Sequence, residues 1–403
     1  MRTEIVGSLR GTAAAAIAEG VLGACVHCGM CNAACPTYRL TGDELDGPRG
    51  RIYLLKQALE GEPVGELTQH HLDRCLECRA CESACPSGVE YHRLLDIGRG
   101  VVSAAVERAD DEQRKRRAVR FLALRPRLLA ALFTIGRALR FVLPSNLAEK
   151  LPPPERAPGA WPTTRHARRM MILGGCVQRA TAPRFNAATA RVFDQVGVSL
   201  VERGGCCGAV PFHLEATDQA RAIARRQIDA FDAALSGGCE AIVVNASGCA
   251  AFVRDWPDLF SDEPEYRGKA RRVVAHLKDP VEILRETPPT PRRAPAAPRI
   301  AVHDPCTLRN GPGLAGVVES LLARLGYEPQ PVADAGQCCG SAGAYSLFQP
   351  KFAERLREEK VAALTAGEPQ AIFTANIGCW MHLSATSPVP VRHWIEAVDD
   401  LIS

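Results

Sequence analysis

The chain runs to 403 residues at 46% hydrophobic content, enough apolar sequence for two or three domains with cores of their own. A net charge of +4 and 5% aromatic residues provide neither the basic footprint nor the stacking surface of a nucleic-acid binder. The 17 cysteines are odd in number and sit in a long chain, which excludes a small secreted disulfide scaffold and points to thiolates held for metal in a reducing cytoplasm.

Residues 1–110 lack strand alternation and read as short helices around cysteine loops. Leu22–Cys25, "LGAC", resembles a lipoprotein cleavage site, but Glu19 interrupts the apolar run before it. No stretch reaches the ~20 apolar residues of a transmembrane helix. "CVHCGMCNAACP" covers Cys25–Pro36, and "CLECRACESACP" covers Cys75–Pro86. Both follow C-x2-C-x2-C-x3-C-P, the spacing of ferredoxin-type [4Fe–4S] binding. Three closely spaced thiols on a curled loop reach three corners of a cubane, and the fourth points away from its own loop toward the other cluster. The spacing therefore predicts crossed ligation. Cys25, Cys28, Cys31 and Cys85 hold one cluster, and Cys75, Cys78, Cys81 and Cys35 hold the other. C-x2-C is also a zinc half-site, but zinc has no use for an x3-C-P tail that occurs twice.

Residues 111–165 form a connecting region. Arg114–Pro144 contains nine basic residues and no acid. After Pro126, Leu128, Leu129, Leu132, Ile135, Leu139 and Leu143 share one helical face. Arg127 and Arg137 lie opposite, with Arg140 at the edge. Two readings stand: a helix packed on its own protein or a partner subunit, or an interfacial helix on anionic lipid. A proline-rich linker, Leu151–Pro162, follows.

Residues 166–286 and 299–403 are copies of one plan, separated by a second proline-rich linker over 287–298. "RMMILGGC", "GGCCG" and "AIVVNASGC" place Cys176, Cys206, Cys207 and Cys249. "RIAVHDPC", "GQCCG" and "AIFTANIGC" place Cys306, Cys338, Cys339 and Cys379, offset by 130, 132 and 130 residues. A later histidine recurs as His276 and His393. Alternating strand-like and helical patterns predict an α/β unit for each copy, with the cysteines beyond the strand ends where ligands gather in open sheets. The expected fold is thus α+α/β: a mainly helical two-cluster ferredoxin-type domain followed by two duplicated α/β cysteine-rich domains. Each quartet suits one metal site, and the alternative is buried structural cysteine. Cys239 lies outside the repeat and reads as core. "GPGLAG" at Gly311–Gly316 matches a dinucleotide fingerprint, but the first copy has no glycines there, so it reads as the start of a helix.

These strings resemble the iron–sulfur subunit of bacterial glycolate oxidase. The match lies in "CVHCGMCNAACPTYRLTGDELDGPRGRIYLLKQ", "HLDRCLECRACESACPSGVEYHRLLDIGR", "GCVQRA", "CCGAVPFHL", "NASGCAAFV", "CCGSAGAYS" and "TANIGC". The resemblance covers nearly the whole chain. It implies an oxidoreductase subunit without a catalytic residue of its own. Such a subunit relays electrons from FAD on separate partner subunits, which oxidise glycolate to glyoxylate, toward a quinone or other respiratory acceptor. It implies two [4Fe–4S] clusters, with a further cluster or zinc at the CCG sites. The cysteine usage and the basic amphipathic segment Arg114–Pro144 place the chain in the cytoplasm, peripheral on the inner face of the cytoplasmic membrane. The wider CCG family includes subunits of glycerol-3-phosphate dehydrogenase, heterodisulfide reductase and lactate-utilisation proteins, the alternative assignments. In its full pattern the last cysteine belongs to a C-x-x-C. Ala246 and Asn376 stand where the first of that pair would be, which argues against chemistry of the heterodisulfide type.

Overall fold

Proline after the fourth thiol of the first motif starts a helix. Cys35 is the N-cap and Pro36 the first residue of helix Pro36–Thr41, which Gly42 ends in the left-handed conformation. The computed structural model describes residues 1–142, 144, 151–154 and 156–403. The N-terminal unit is helical, with Ala13–Ala24, Pro48–Leu59 and Tyr91–Ala105 as its longer helices. Leu22, Leu55, Leu59, Leu72, Leu94 and Leu95 fill its core. Helix Tyr91–Ala105 crosses close over Pro48–Leu59 at Gly98, where a Cβ would meet Leu55 Cδ2 at 2.0 Å.

Helices Asp110–Ala123 and Pro126–Ala138 follow, broken at Pro126. The first half of the basic run is internally paired. Arg116 bonds Glu112 at 2.7 Å, and its guanidinium lies 5.1 Å from the Phe348 ring centroid. The second helix has no buried residue, and Leu128, Leu132, Ile135 and Leu139 are exposed along it. Leu143 lies outside the described residues. Among the described residues no helix is long and apolar enough to cross a membrane.

Two four-stranded sheets follow, both parallel. The first takes the order β2-β1-β3-β4 from β1 (Arg168–Leu173), β2 (Val198–Arg203), β3 (Ile242–Val243) and β4 (Leu277–Lys278). The second repeats it as β6-β5-β7-β8 from β5 (Arg299–His303), β6 (Glu328–Pro329), β7 (Ala371–Thr374) and β8 (Val391–His393). Apolar side chains of both sheets enter one continuous core, including Met170, Val198, Ile300, Phe373 and Trp394. Helices Arg184–Gln195 and Trp394–Ile402 lie against each other across the copies, where Arg184 Nε bonds Glu396 Oε1 at 2.8 Å. The linkers are pinned to these units: Trp161 Nε1 bonds Leu200 O at 3.2 Å, and Arg292 N bonds Leu401 O at 2.8 Å.

Two expectations change. His393 does not correspond to His276. In register, β4 pairs Ile242 with Leu277, and β8 pairs Ile372 with Val391. The residue matching His393 is therefore Asp279, and each caps the next helix in a capping box, with Glu282 and Glu396. The first copy inserts helix Pro264–Ala275 before β4, which shifts the offset. Cys239, in turn, is half-exposed in the turn after helix Thr217–Ser236 and is not core.

Candidate metal centres

Both ferredoxin-type motifs use the same backbone device. The residues flanking the second thiol adopt left-handed conformations: His27 (φ 59) and Gly29 (φ 83) around Cys28, Glu77 (φ 54) and Arg79 (φ 57) around Cys78. Such torsions are uncommon for non-glycine residues and curl the loop so that its thiols face inward. Cys25, Cys28, Cys31 and Cys85 line one cavity. Cys35, Cys75, Cys78 and Cys81 line a second. Cys81, Pro48 and Tyr91 belong to the walls of both, so the two cavities adjoin.

The donor chemistry fits a polynuclear metal occupant. Burial pushes the Cys31 thiol up to about 11, and burial likewise raises Cys75, Cys78 and Cys81. Thiolates there need compensating positive charge, which bound iron supplies while displacing the protons. The Tyr91 hydroxyl, in the shared wall, is buried and has no protein partner, a donor available to an acceptor in either cavity.

A charged network supports the second cavity. Arg51 is 1% exposed and Asp46 0%. Arg51 Nε donates to His71 O at 2.7 Å, and NH1 donates to Thr37 Oγ1 at 3.2 Å and to Cys35 Sγ at 3.9 Å. Asp46 accepts from Arg74 NH1 at 2.6 Å and lies 2.9 Å from His71 Nδ1. Sequence reasoning missed this group. Arg51, Asp46 and Thr37 lie in the "PTYRLTGDELDGPRGR" stretch, but no spacing rule marks a buried arginine.

In the α/β units each cysteine follows a strand end. Cys176, Cys206 and Cys249 follow β1, β2 and β3; Cys306, Cys338 and Cys379 follow β5, β6 and β7. The glycines after the CC pairs are left-handed, Gly208 (φ 101) and Gly340 (φ 86). A Cβ on Gly340 would meet Ala353 O at 2.6 Å, so glycine is what lets the pair sit against the helix. Each quartet comes together. In the first copy Cys176, Cys206, Cys207 and Cys249 are electrostatic neighbours in succession, and Gly208 N donates to Cys206 Sγ at 3.3 Å. Cys306 Sγ lies 3.9 Å from Cys338 Sγ, and Cys339 Sγ 3.1 Å from Cys379 Sγ. Thiol hydrogen bonding and burial together raise Cys176 and Cys306 well above the usual range. Asn376 is a supporting residue: Nδ2 donates to Cys379 Sγ at 3.4 Å, and Oδ1 accepts from Gly248 N of the first copy at 3.3 Å.

The N-terminal unit is seated on both copies. Cys78 shares an apolar cluster with Cys338, Tyr345 and Leu356, with Cys306 packed against it. Asn310 Nδ2 donates to Cys78 O at 2.7 Å. His213 pairs with Glu77 at 2.8 Å, Arg93 with Asp258 at 2.8 Å, and Arg79 with Asp255. The second cavity thus faces the second quartet directly.

Paired thiol cavities on a helical unit, joined to two α/β units with thiol quartets at their strand ends, define an iron–sulfur protein of the cysteine-rich class. A family model described as a 4Fe-4S dicluster domain matches residues 21–89, and one described as a cysteine-rich domain matches 171–254 and 300–384. The glycolate oxidase iron-sulfur subunit of Escherichia coli (strain K12) is 47% identical over 100% of this chain and 99% of its own length. The probable glycolate oxidase iron-sulfur subunit of Bacillus subtilis (strain 168) is 31% identical over 91% of this chain and 89% of its own. Lactate utilization protein A of an Exiguobacterium strain is 24% identical over 56% of this chain. The chain belongs to the family of glycolate oxidase iron-sulfur subunits.

Proposed function

We propose that this chain is the electron-transfer subunit of a glycolate oxidase complex, an oxidoreductase whose flavin chemistry resides on partner subunits. The observation that carries the relay reading is the adjoining of the two ferredoxin-type thiol cavities, which share Cys81 and Tyr91 as walls. The full-length likeness to the E. coli subunit supports glycolate as the complex's substrate.

In this reading Cys25, Cys28, Cys31 and Cys85 hold one [4Fe–4S] cluster, and Cys75, Cys78, Cys81 and Cys35 hold the other. Such clusters, when bound, take and give electrons singly, which lets a two-electron flavin on a partner discharge stepwise toward a quinone or other respiratory acceptor. The residues of this chain bind, shield and tune. Arg51 sets positive charge beside Cys35, while Leu76, Leu95 and Ile52 dry the cavity walls. Cys176, Cys206, Cys207 and Cys249, and Cys306, Cys338, Cys339 and Cys379, are metal sites for a further cluster or zinc. The functional division follows residues 1–110, 111–165, 166–286, 287–298 and 299–403. We also place the complex peripherally on the inner face of the cytoplasmic membrane, supported by exposed Leu128, Leu132, Ile135 and Leu139 beside Arg127 and Arg140.

The test is glycolate turnover with an artificial electron acceptor. The chain alone, loaded with iron and free of flavoprotein, is expected to be inactive, and adding the flavin subunits restores coupling to a quinone. Turnover by the chain alone would refute the relay reading.

A further inference from the structure

The two thiol quartets are not chemically equal. β5 ends at His303, 2% exposed. In the first copy the matching position, 130 residues earlier, is Leu173, equally buried and apolar. A histidine in that place introduces a nitrogen donor into an otherwise all-sulfur neighbourhood. Its ring is fixed on one side, where Nδ1 lies 2.9 Å from Thr374 Oγ1. On the other side Nε2 is buried and has no hydrogen-bond partner. An orphaned buried ring nitrogen is costly unless something takes its lone pair. The side-chain donors of His303, Cys339 and Cys379 lie within 4.8 Å of one another.

These separations decide between kinds of occupant. Two donors on one zinc ion, at ~2.3 Å for sulfur and ~2.0–2.1 Å for nitrogen, lie no farther apart than about 4.6 Å. The 3.1 Å between Cys339 Sγ and Cys379 Sγ falls within that limit. A cubane instead spreads its thiolates over separate iron corners. Cys338, the neighbour of Cys339 in sequence, stands outside this three-donor group and has to rotate inward to complete a tetrahedral set. Cys306, 3.9 Å beyond it, is turned toward the cluster that contains Cys78.

A second difference points the same way. Lys360 is fully buried; its Nζ donates to Asp334 O at 3.1 Å and Ala335 O at 3.0 Å, and it faces Cys338 and Cys339. In the first copy the matching residue is Gln227. The helices align through Ala220 and Ala353, each of which lies beneath the glycine after its CC pair. A divalent ion with three thiolates and a neutral imidazole carries one net negative charge. The Lys360 ammonium balances it, which a buried site requires.

We propose that the second quartet is a mononuclear zinc site in which His303 Nε2 is a ligand, together with Cys338, Cys339 and Cys379. The Thr374 contact orients the imidazole, as the second partner of a metal-bound histidine does. Zinc has no redox chemistry, so the site is a structural one, and it lies directly beneath the seat of Cys78. The first quartet has Leu173 and Gln227 at the matching positions and is not equivalent to it. The inference stands apart from the relay reading, because loss of zinc and loss of relay iron are read separately.

The experiment uses the full chain, purified anaerobically with its clusters. Zinc and iron are measured, and X-ray absorption at the zinc edge reports the ligands. The parent should contain about one zinc, with one nitrogen at ~2.0–2.1 Å and three sulfurs at ~2.3 Å. His303→Leu should lose most of its zinc to a chelator, by roughly tenfold or more, while ferredoxin-type iron and labile sulfide stay at parental levels. If His303→Leu fails to fold, His303→Cys decides: zinc should be retained and the nitrogen shell replaced by sulfur. Cys239→Ala, a thiol outside both quartets, should leave the zinc shell unchanged. A parent without zinc, a parent zinc shell of sulfur alone, or a nitrogen shell that survives His303→Cys would overturn the proposal.

Discussion

Arg51 is the residue through which the second cavity can be perturbed most informatively. Replacing it with Met keeps the volume and removes both the charge and its hydrogen bonds to His71 O, Thr37 Oγ1 and Cys35 Sγ. Two effects follow, and they separate. Breaking a buried charged network by deleting one partner costs about 3–5 kcal/mol, a large part of the ~5–15 kcal/mol that holds a domain folded. The second effect is on the potential. A unit positive charge 3.9 Å from the Cys35 sulfur is worth at most about 4 kcal/mol at an effective dielectric of ~20. That ceiling converts to about 180 mV for a one-electron couple, and spreading the added electron over a cluster reduces it to the order of 50–100 mV. The potential should fall, because a cation that favours the reduced state has gone. The assay is an anaerobic potentiometric titration of the full chain followed by electron paramagnetic resonance, with urea unfolding in parallel. Arg51→Lys is the control: it should lose stability but keep most of the potential. If Arg51→Met unfolds earlier yet moves neither potential by more than ~20 mV, under half a kcal/mol, Arg51 is a structural residue and the tuning argument fails.

Three further outcomes are expected. Cys35→Ala should give the same spectroscopic loss as Cys78→Ala and leave about four of about eight irons; matching the Cys28→Ala loss instead would show uncrossed ligation. Changing Arg127, Arg137 and Arg140 together to Glu should move the assembled complex off anionic membranes, since each arginine contributes ~1 kcal/mol there; a triple variant that still sediments like the parent would make the exposed leucine face a protein contact. Asp279 is pushed up to about 7, by burial first, against the N–H of Val281 that it caps at 3.0 Å. Its folded value lies above its unfolded one, so the folded chain binds the extra proton and stability drains away as pH rises toward 7. Asp279→Asn keeps the cap and removes the charge. It should therefore stabilise more at pH 8 than at pH 6, by about 1.4 kcal/mol, and an equal effect at both values would contradict this.

What could be read in the sequence was what is local. The thiols of each ferredoxin-type motif lie within a dozen residues, so their spacing alone specifies a curled loop, and the repeat of Cys176 to Cys249 as Cys306 to Cys379 marks the duplication. Where contacts are long-range, the pattern gave out. Arg51 meets Asp46, Thr37 and His71 only after three helices assemble, and nothing in their spacing announces it. His276 and His393 both follow a Val-rich strand pattern in the sequence, yet helix Pro264–Ala275 lengthens the first copy and puts Asp279 at the place equivalent to His393. His303 reads as an ordinary strand residue in "RIAVHDPC" until β5 and β7 are paired and its ring is seen facing Cys339 and Cys379. The leucines after Pro126 do form one helical face, as their period requires, but periodicity cannot say whether such a face is covered. Here Leu128, Leu132, Ile135 and Leu139 are left exposed.

The relay claim is tested most directly by adding glycolate, without oxygen, to the complex of this chain with its flavin subunits and following iron–sulfur paramagnetic resonance over time. The signals of reduced clusters should appear within a turnover, Cys35→Ala should remove one set of them, and quinone reduction should fall with it. If the flavin is reduced by glycolate and passes electrons to quinone while the clusters of this chain stay oxidised, the chain is not the relay.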